Sequence, residues 1–260
     1  MDGAEDDGRI KADGGLPEQT AALQALYDAG GSIVFFGGAG VSTESGIPDF
    51  RSKDGLYNQK WKFPPEVILS RSFFNVAPAE FYRFYREKLI VRGVKPNAAH
   101  IALERMEAAG TLSAVVTQNI DGLHQAAGSK TVYELHGSTL RNFCMECGAR
   151  YSINFIAKSA GAPNGIPICK KCGGIVKPDV VLYEESLDGA CMDGAIRAIS
   201  RADMLIIGGT SLTVYPAAGL IDYFRGDRLV LINKTATPTD SRATLAIHDS
   251  IGAVLGALTI

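Results

Sequence analysis

Four short stretches of this chain are apolar at every position: Ile33-Val34-Phe35-Phe36, Ala114-Val115-Val116, Met204-Leu205-Ile206-Ile207 and Leu229-Val230-Leu231-Ile232. A strand with one wet face alternates, so unbroken runs of this kind predict strands buried on both sides. Between them apolar residues recur at helical spacing. Leu23, Leu26 and Tyr27 follow Pro17 and precede Gly30-Gly31, and Phe81, Phe84, Tyr85 and Leu89 fall between Pro78 and Ile90. Asn97 to Ala109 and Leu187 to Ala198 read as further helices. Strands alternating with helices imply an α/β fold built on a doubly wound, parallel Rossmann-like sheet. Such sheets bind ligands beyond the carboxyl ends of their strands. Gly37-Gly38-Ala39-Gly40, Thr117-Gln118-Asn119, Gly208-Gly209-Thr210-Ser211 and Asn233 fall there.

Residues 138 to 178 break this rhythm, and they carry Cys144-x-x-Cys147 and Cys169-x-x-Cys172. Two thiol pairs about twenty residues apart describe a tetrahedral zinc site with no open coordination position, a structural metal in a module too small to hold itself by burial. Disulfides and iron–sulfur ligation are the alternatives. The expected organisation is a disordered leader over 1–16, a nucleotide-binding Rossmann-like domain over 17–137 and 179–260, and a zinc module over 138–178. The Rossmann-like domain would include a ligand-binding loop and helical segment at about 42–95.

Composition narrows the setting without choosing a function. The 260 residues are 46% hydrophobic with a formal charge of −2, ample for a core and giving no sign of a nucleic-acid binder. The acidic start Met1-Asp2-Gly3-Ala4-Glu5-Asp6-Asp7 is the reverse of a secretory signal, and no apolar run approaches the roughly 18 residues of a membrane span. Metal-type cysteine spacing then points to a reducing, cytoplasmic setting.

Gly38-Ala39-Gly40-Val41-Ser42 follows directly on a buried strand, as a pyrophosphate-binding turn would, although the third glycine of G-x-G-x-x-G is missing. The segment Thr43 to Ser52 is too polar and too punctuated for a Rossmann helix, and reads as a loop that closes over a ligand. Taken with Thr117-Gln118-Asn119-Ile120-Asp121-Gly122-Leu123-His124, Leu135-His136-Gly137 and Gly209-Thr210-Ser211-Leu212, the chain resembles the sirtuin family of NAD-dependent protein deacylases over about 20–260.

The resemblance implies that NAD is a consumed cosubstrate: acyl-lysine is deacylated, nicotinamide leaves, and the acyl group ends as 2′-O-acyl-ADP-ribose. It places Ala39, Thr43, Phe50 and Arg51 around the phosphates and nicotinamide ribose. Gln118, Asn119, Ile120 and Asp121 would surround the ribose and nicotinamide, and Thr210, Ser211, Asn233 and Ile251 the adenosine end. His136 would be the general base, with Asn119 beside it in the catalytic set. Of the other histidines, His100, His124 and His248 lack that position. The acylated peptide or protein would pair with the strand carrying Val180 and Val181, with no nucleic acid or membrane involved. In sirtuins that favour acidic acyl groups, a Tyr-x-x-Arg pair on a helix meets the distal carboxylate. Here Tyr82 is followed three residues on by Tyr85, with Arg86 one further, which favours acetyl and other uncharged acyl groups. Competing readings are mono-ADP-ribosyl transfer, a conventional dehydrogenase, and a non-catalytic acyl-lysine and NAD-binding module.

Overall fold

The four apolar runs lie side by side. In the computed structural model, which describes Ile10 and residues 14–260 except Lys53, the strands are β1 (Ile33–Gly37), β2 (Leu112–Thr117), β3 (Val132–Glu134), β4 (Gly137–Cys144), β5 (Arg150–Ser152), β6 (Val176–Val180), β7 (Met204–Gly208), β8 (Arg228–Ile232) and β9 (Leu245–Ile247). Six form one sheet in the order β3-β2-β1-β7-β8-β9, every pair parallel. The order reverses between β1 and β7, and ligands of such sheets bind in the crevice at that switch point. Successive residues of β1 face opposite sides. Ile33 and Phe35 enter one apolar core, Val34 and Phe36 the other, all at most 1% exposed. Each such side chain contributes roughly 1.5–3 kcal/mol by leaving water.

The first helix, Leu16–Asp28, begins with Pro17 in its first turn and ends at Gly30 and Gly31, whose φ of 75° and 95° require glycine. Ile10, inside the expected leader, donates its N–H to Thr244 O at 2.8 Å, and most of the leader lies outside the described residues. The helix Ala98–Ala108 is closed by a reciprocal cap. The Asn97 side chain accepts from Ala99 N and His100 N, while His100 Nδ1 accepts from Asn97 N. Asn97 Nδ2 also donates to Val41 O at 2.8 Å and Ser45 Oγ at 3.0 Å, tying the helix to the turn after β1. The helix after residue 187 runs Gly189–Arg201, because Asp188 accepts from Cys191 N at 2.7 Å and so fixes its start.

The second sheet is antiparallel, β5-β4-β6, and carries the cysteine knuckles. Its core joins Cys144, Cys169, Ile156 and Val176 to Phe74, Phe81, Tyr82 and Tyr85. The helices within 65–88 therefore share an apolar core with the cysteine-bearing sheet. No helix among the described residues is long and apolar enough to cross a membrane.

Candidate active site

The loops leaving β1 and β7 cross at the switch point, where Gly40 N donates to Gly209 O at 2.8 Å. A Cβ on Gly40 would stand 2.8 Å from Gly209 Cα, and one on Gly38 would stand 2.8 Å from Thr210 Cβ. These glycines are thus demanded by the contact of two loops, whatever else they leave room for.

Thr117 ends β2, and the next residues reach across the crevice. Gln118 Nε2 donates to Thr210 Oγ1 at 3.1 Å, bridging the exits of β2 and β7. Asn119, 8% exposed, donates through Nδ2 to Ser42 Oγ at 3.1 Å, and Ser42 Oγ donates to Asp121 Oδ2 at 2.7 Å. Asp121 Oδ1 also accepts from Leu123 N at 2.9 Å, so both carboxylate oxygens are engaged. Ser42 lies within a quoted motif, yet only the fold shows it as the link between two site residues. Ile120 holds the small domain, its carbonyl accepting from Thr139 N and Oγ1 at 3.0 Å each.

His136 lies between β3 and β4. The chain turns there at Gly137, whose φ is 75° and whose absent Cβ would fall 2.0 Å from Asp179 O, so only glycine fits. His136 Nδ1 lies 3.0 Å from Gln118 O. A carbonyl only accepts, so Nδ1 carries the proton and Nε2 keeps its lone pair. Burial pushes the imidazole below its ordinary pKa, against a partial upward pull from the Gln118 carbonyl. The ring is therefore neutral near pH 7, with one nitrogen available as a base.

Thr43 Oγ1 is bonded to Gly40 O, and Ala39 is half-buried in the same turn. Phe50 and Arg51 follow on the loop and both meet Tyr57: Phe50 edge-on with centroids 5.6 Å apart, Arg51 with its guanidinium 5.4 Å from the ring centre. Thr210 N donates to Asn233 Oδ1 at 3.0 Å, which leaves the buried Asn233 Nδ2 without an acceptor among the described residues. An orphaned donor at a strand exit fits an acceptor atom of a bound adenosine. Ser211 is exposed and bonded to Thr213. Ile251 packs against Gly208 and is 4% exposed, so its side chain belongs to the core and little of it remains for an adenine ring.

The other histidines are occupied or sealed. His248 Nε2 lies 3.2 Å from Asp240 Oδ2. His100 and His124 are buried with ring centroids 4.7 Å apart. Burial, and then His100, push His124 down to about 3; burial lowers His100 too, against Asp121 and Glu44. Unfolded histidine titrates near 6.5, so below that pH the unfolded chain binds more protons and stability falls on acidification. We expect the melting temperature to drop steadily below about pH 6.5, and His124→Gln to flatten that slope.

Val180 and Val181 hold β6 against the turn at His136, with Val181 N donating to His136 O at 3.0 Å. Register pairs Gly137 with Val180, which points the Val180 N–H and C=O away from β4; the N–H faces the sheet edge, and the carbonyl accepts from Lys177 Nζ at 2.9 Å. Beyond it Glu184 takes a φ of 75°, and its carboxylate accepts from Ser72 N and Ser72 Oγ at 2.8 and 2.9 Å. Arg71 and Lys177 both pair with Glu185 at 3.0 Å. Nothing in the sequence marks the Ser72–Glu184 and Arg71–Glu185 contacts, each between residues over a hundred apart.

The four cysteines are free thiols whose sulfurs all lie within 4.8 Å of one another. Cys144 and Cys172 Sγ are 3.3 Å apart, Cys147 and Cys169 Sγ 3.7 Å. Four sulfurs bound tetrahedrally at about 2.3 Å would stand about 3.8 Å apart, so the cluster fits a zinc ion and leaves no ligand position over. Tyr151 OH donates to Cys169 Sγ at 3.1 Å, a support suited to a thiolate.

The sequence and fold of this chain are similar to those of known proteins. The Sir2 family model matches residues 38–216. An NAD-dependent protein deacetylase of Clostridium perfringens is 62% identical over 93% of this chain and 98% of its own length, and one of Clostridium acetobutylicum 60% identical over 92% and 98%. A Sir2 structure with NAD+ and a p53 peptide superposes with a TM-score of 0.81 at 38% identity, covering 90% of this chain and 94% of that one. Another, a Sir2 variant with a deacetylated p53 peptide and an acetyl ADP-ribose, gives 0.85 at 37%, covering 91% and 95%. With a family model over most of the chain and near full-length relatives in agreement, the chain belongs to the Sir2 family.

Proposed function

We propose that this protein is an NAD-dependent protein lysine deacylase that releases nicotinamide, deacylated lysine and 2′-O-acyl-ADP-ribose. The observation that carries the reading is His136, fixed through Nδ1 on the Gln118 carbonyl so that Nε2 is free as a base beside the switch-point crevice. Support comes from relatives named NAD-dependent protein deacetylase and from Sir2 structures holding NAD+, peptide and acetyl ADP-ribose.

NAD supplies a glycosidic bond whose cleavage frees nicotinamide. Around it, Ala39, Thr43, Phe50 and Arg51 would hold the phosphates and nicotinamide ribose, and Thr210, Ser211 and Asn233 the adenosine. The Asn119–Ser42–Asp121 chain orients two site side chains at once, so that loss of Ser42 would loosen both. Asp121 suits the nicotinamide amide, whose N–H groups need acceptors. His136 Nε2 would take the proton from a ribose hydroxyl. An acylated peptide would add to the open edge at Val180 and Val181. Zinc at Cys144, Cys147, Cys169 and Cys172 would be structural. The free thiols suit a reducing compartment such as the cytoplasm. We retain the division into an NAD-binding part and a zinc module, with the helices within 65–88 assigned to the module's side.

The acyl group should be uncharged. Tyr82 OH donates to Val176 O at 2.5 Å, and Tyr85 is buried with its ring stacked on Phe81. Arg86 donates instead to Ser159 Oγ at 2.9 Å and Gly165 O at 2.6 Å. An acyl carboxylate would lack a paired cation, at a cost of several kcal/mol. We expect kcat/KM on an acetyl peptide to exceed that on the matched succinyl peptide by at least about 100-fold; a succinyl preference that disappears in Arg86→Ala would refute this. The deacylase reading itself is tested by nicotinamide release from NAD, which should require the acylated peptide. Release at the same rate with the unacylated peptide would instead favour ADP-ribosyl transfer or simple NAD hydrolysis.

A further inference from the structure

Away from the crevice, an open groove of about 800 Å³ lies between the helix Pro78–Lys88 and the turns around 159–165. Arg83, Arg86 and Arg92 line it, with Glu80 and Glu87. Past Arg83 and Glu87 it continues into a second depression of about 450 Å³ formed with Lys60, Trp61 and Lys62. Five cations thus face two carboxylates, on a chain whose overall charge is −2.

Among the described residues only one of the five cations, Arg83, is paired with a carboxylate. Glu80 pairs with Arg83, and Glu87 with its neighbour Lys88 at 3.1 Å. Arg86 is gripped only by a hydroxyl and a carbonyl, and burial draws its pKa down. Among the described residues no carboxylate lies within salt-bridge distance of Arg86, Arg92, Lys60 or Lys62. Donors outnumber acceptors along the whole groove, and a set of this kind fits oxygen anions.

The form of the anion follows from Trp61. Its ring is already flanked by the Arg83 guanidinium at 5.5 Å and the Lys88 ammonium at 5.6 Å, with Phe84 against it edge-on at 5.3 Å. The face on which a nucleic-acid base would stack is covered. Carboxylates need no such face, and guanidinium forks match them in geometry.

We propose that this groove docks an acidic protein segment, a run of Asp and Glu side chains whose carboxylates meet Arg86 and Arg92 at one end and Lys60 and Lys62 at the other. Docking there is independent of the catalytic reading, since it involves neither NAD nor acyl-lysine.

Trp61 is the sole tryptophan, so its fluorescence reports on this groove directly. The zinc-loaded full chain would be titrated with hexaglutamate, with hexaglutamine and with a short single-stranded RNA, at low and raised salt. Hexaglutamate should give a saturable change that weakens as salt rises, and hexaglutamine none. The triple variant Lys60→Gln, Lys62→Gln, Arg92→Gln alters only exposed side chains and should bind hexaglutamate about tenfold more weakly. Its turnover of a short acetyl peptide without acidic residues should be unchanged. Absence of a saturable change, full affinity in the triple variant, or RNA binding more tightly than hexaglutamate would each overturn the proposal.

Discussion

His136→Ala should lower deacylation turnover by about 10²–10⁴-fold while leaving the fold and NAD affinity close to normal. Among the described residues the ring's one hydrogen bond is to the Gln118 carbonyl and no core cluster includes it, so its loss removes a base more than a support. The intact protein should show a matching pH dependence. A base works when neutral, and burial lowers the His136 pKa, so the acid limb of kcat/KM should lie below the ordinary histidine value of about 6.5. Near-normal turnover in the alanine variant would remove His136 from the chemistry. An acid limb above pH 7 would contradict the burial argument.

Zinc removal should cost nearly as much by another route. The strand β4 begins at Gly137, beside His136, and ends at Cys144, so one eight-residue element carries the base at one end and a metal ligand at the other. Cys144 and Cys169 are each 3% exposed within a core shared with Ile156, Val176 and Tyr82. Structural zinc contributes about 10–16 kcal/mol to small zinc-folded peptides, far more than a module of this size gains from burial. Chelation, or Cys172→Ser, should therefore melt the antiparallel sheet, fray β4 and abolish activity, although no cysteine meets the reacting atoms. Metal analysis should give one zinc per chain. A zinc-free protein that keeps its near-ultraviolet dichroism and full turnover would refute the structural assignment.

The buried strands were legible because β1, β2, β7 and β8 are apolar on both faces. The three-residue strands β3 and β9 escaped notice: each pairs on one side only, at the sheet edges, and three residues are too few for any periodicity to register. Neighbouring apolar patterns also cannot say which core a helix joins. Phe81 and Tyr85 announce a buried face, and only the tertiary structure shows it meeting Val176 and the cysteine knuckles.

At the site, residues directly after strand ends could be placed in advance, since the fold class puts them at the crevice. Ser42 could not, because its role depends on Asn119 and Asp121, 77 and 79 residues away along the chain. Glu184 was equally hidden: a left-handed glutamate has no sequence signature, and its cause is the carboxylate's hold on Ser72. Ile251 poses the opposite difficulty. An apolar residue at a strand-end crevice suits either an adenine contact or the core, and its packing against Gly208 places it in the core.

The central claim is that the acyl group leaves lysine for the ribose of NAD. The most direct measurement is mass analysis of the products after NAD and an acetyl-lysine peptide are mixed with the zinc-loaded protein. Deacetylated peptide, nicotinamide and an ADP-ribose heavier by one acetyl group should accumulate in equal amounts. Free acetate with unmodified ADP-ribose formed from the outset, or a peptide that keeps its acetyl group and gains ADP-ribose, would contradict the account.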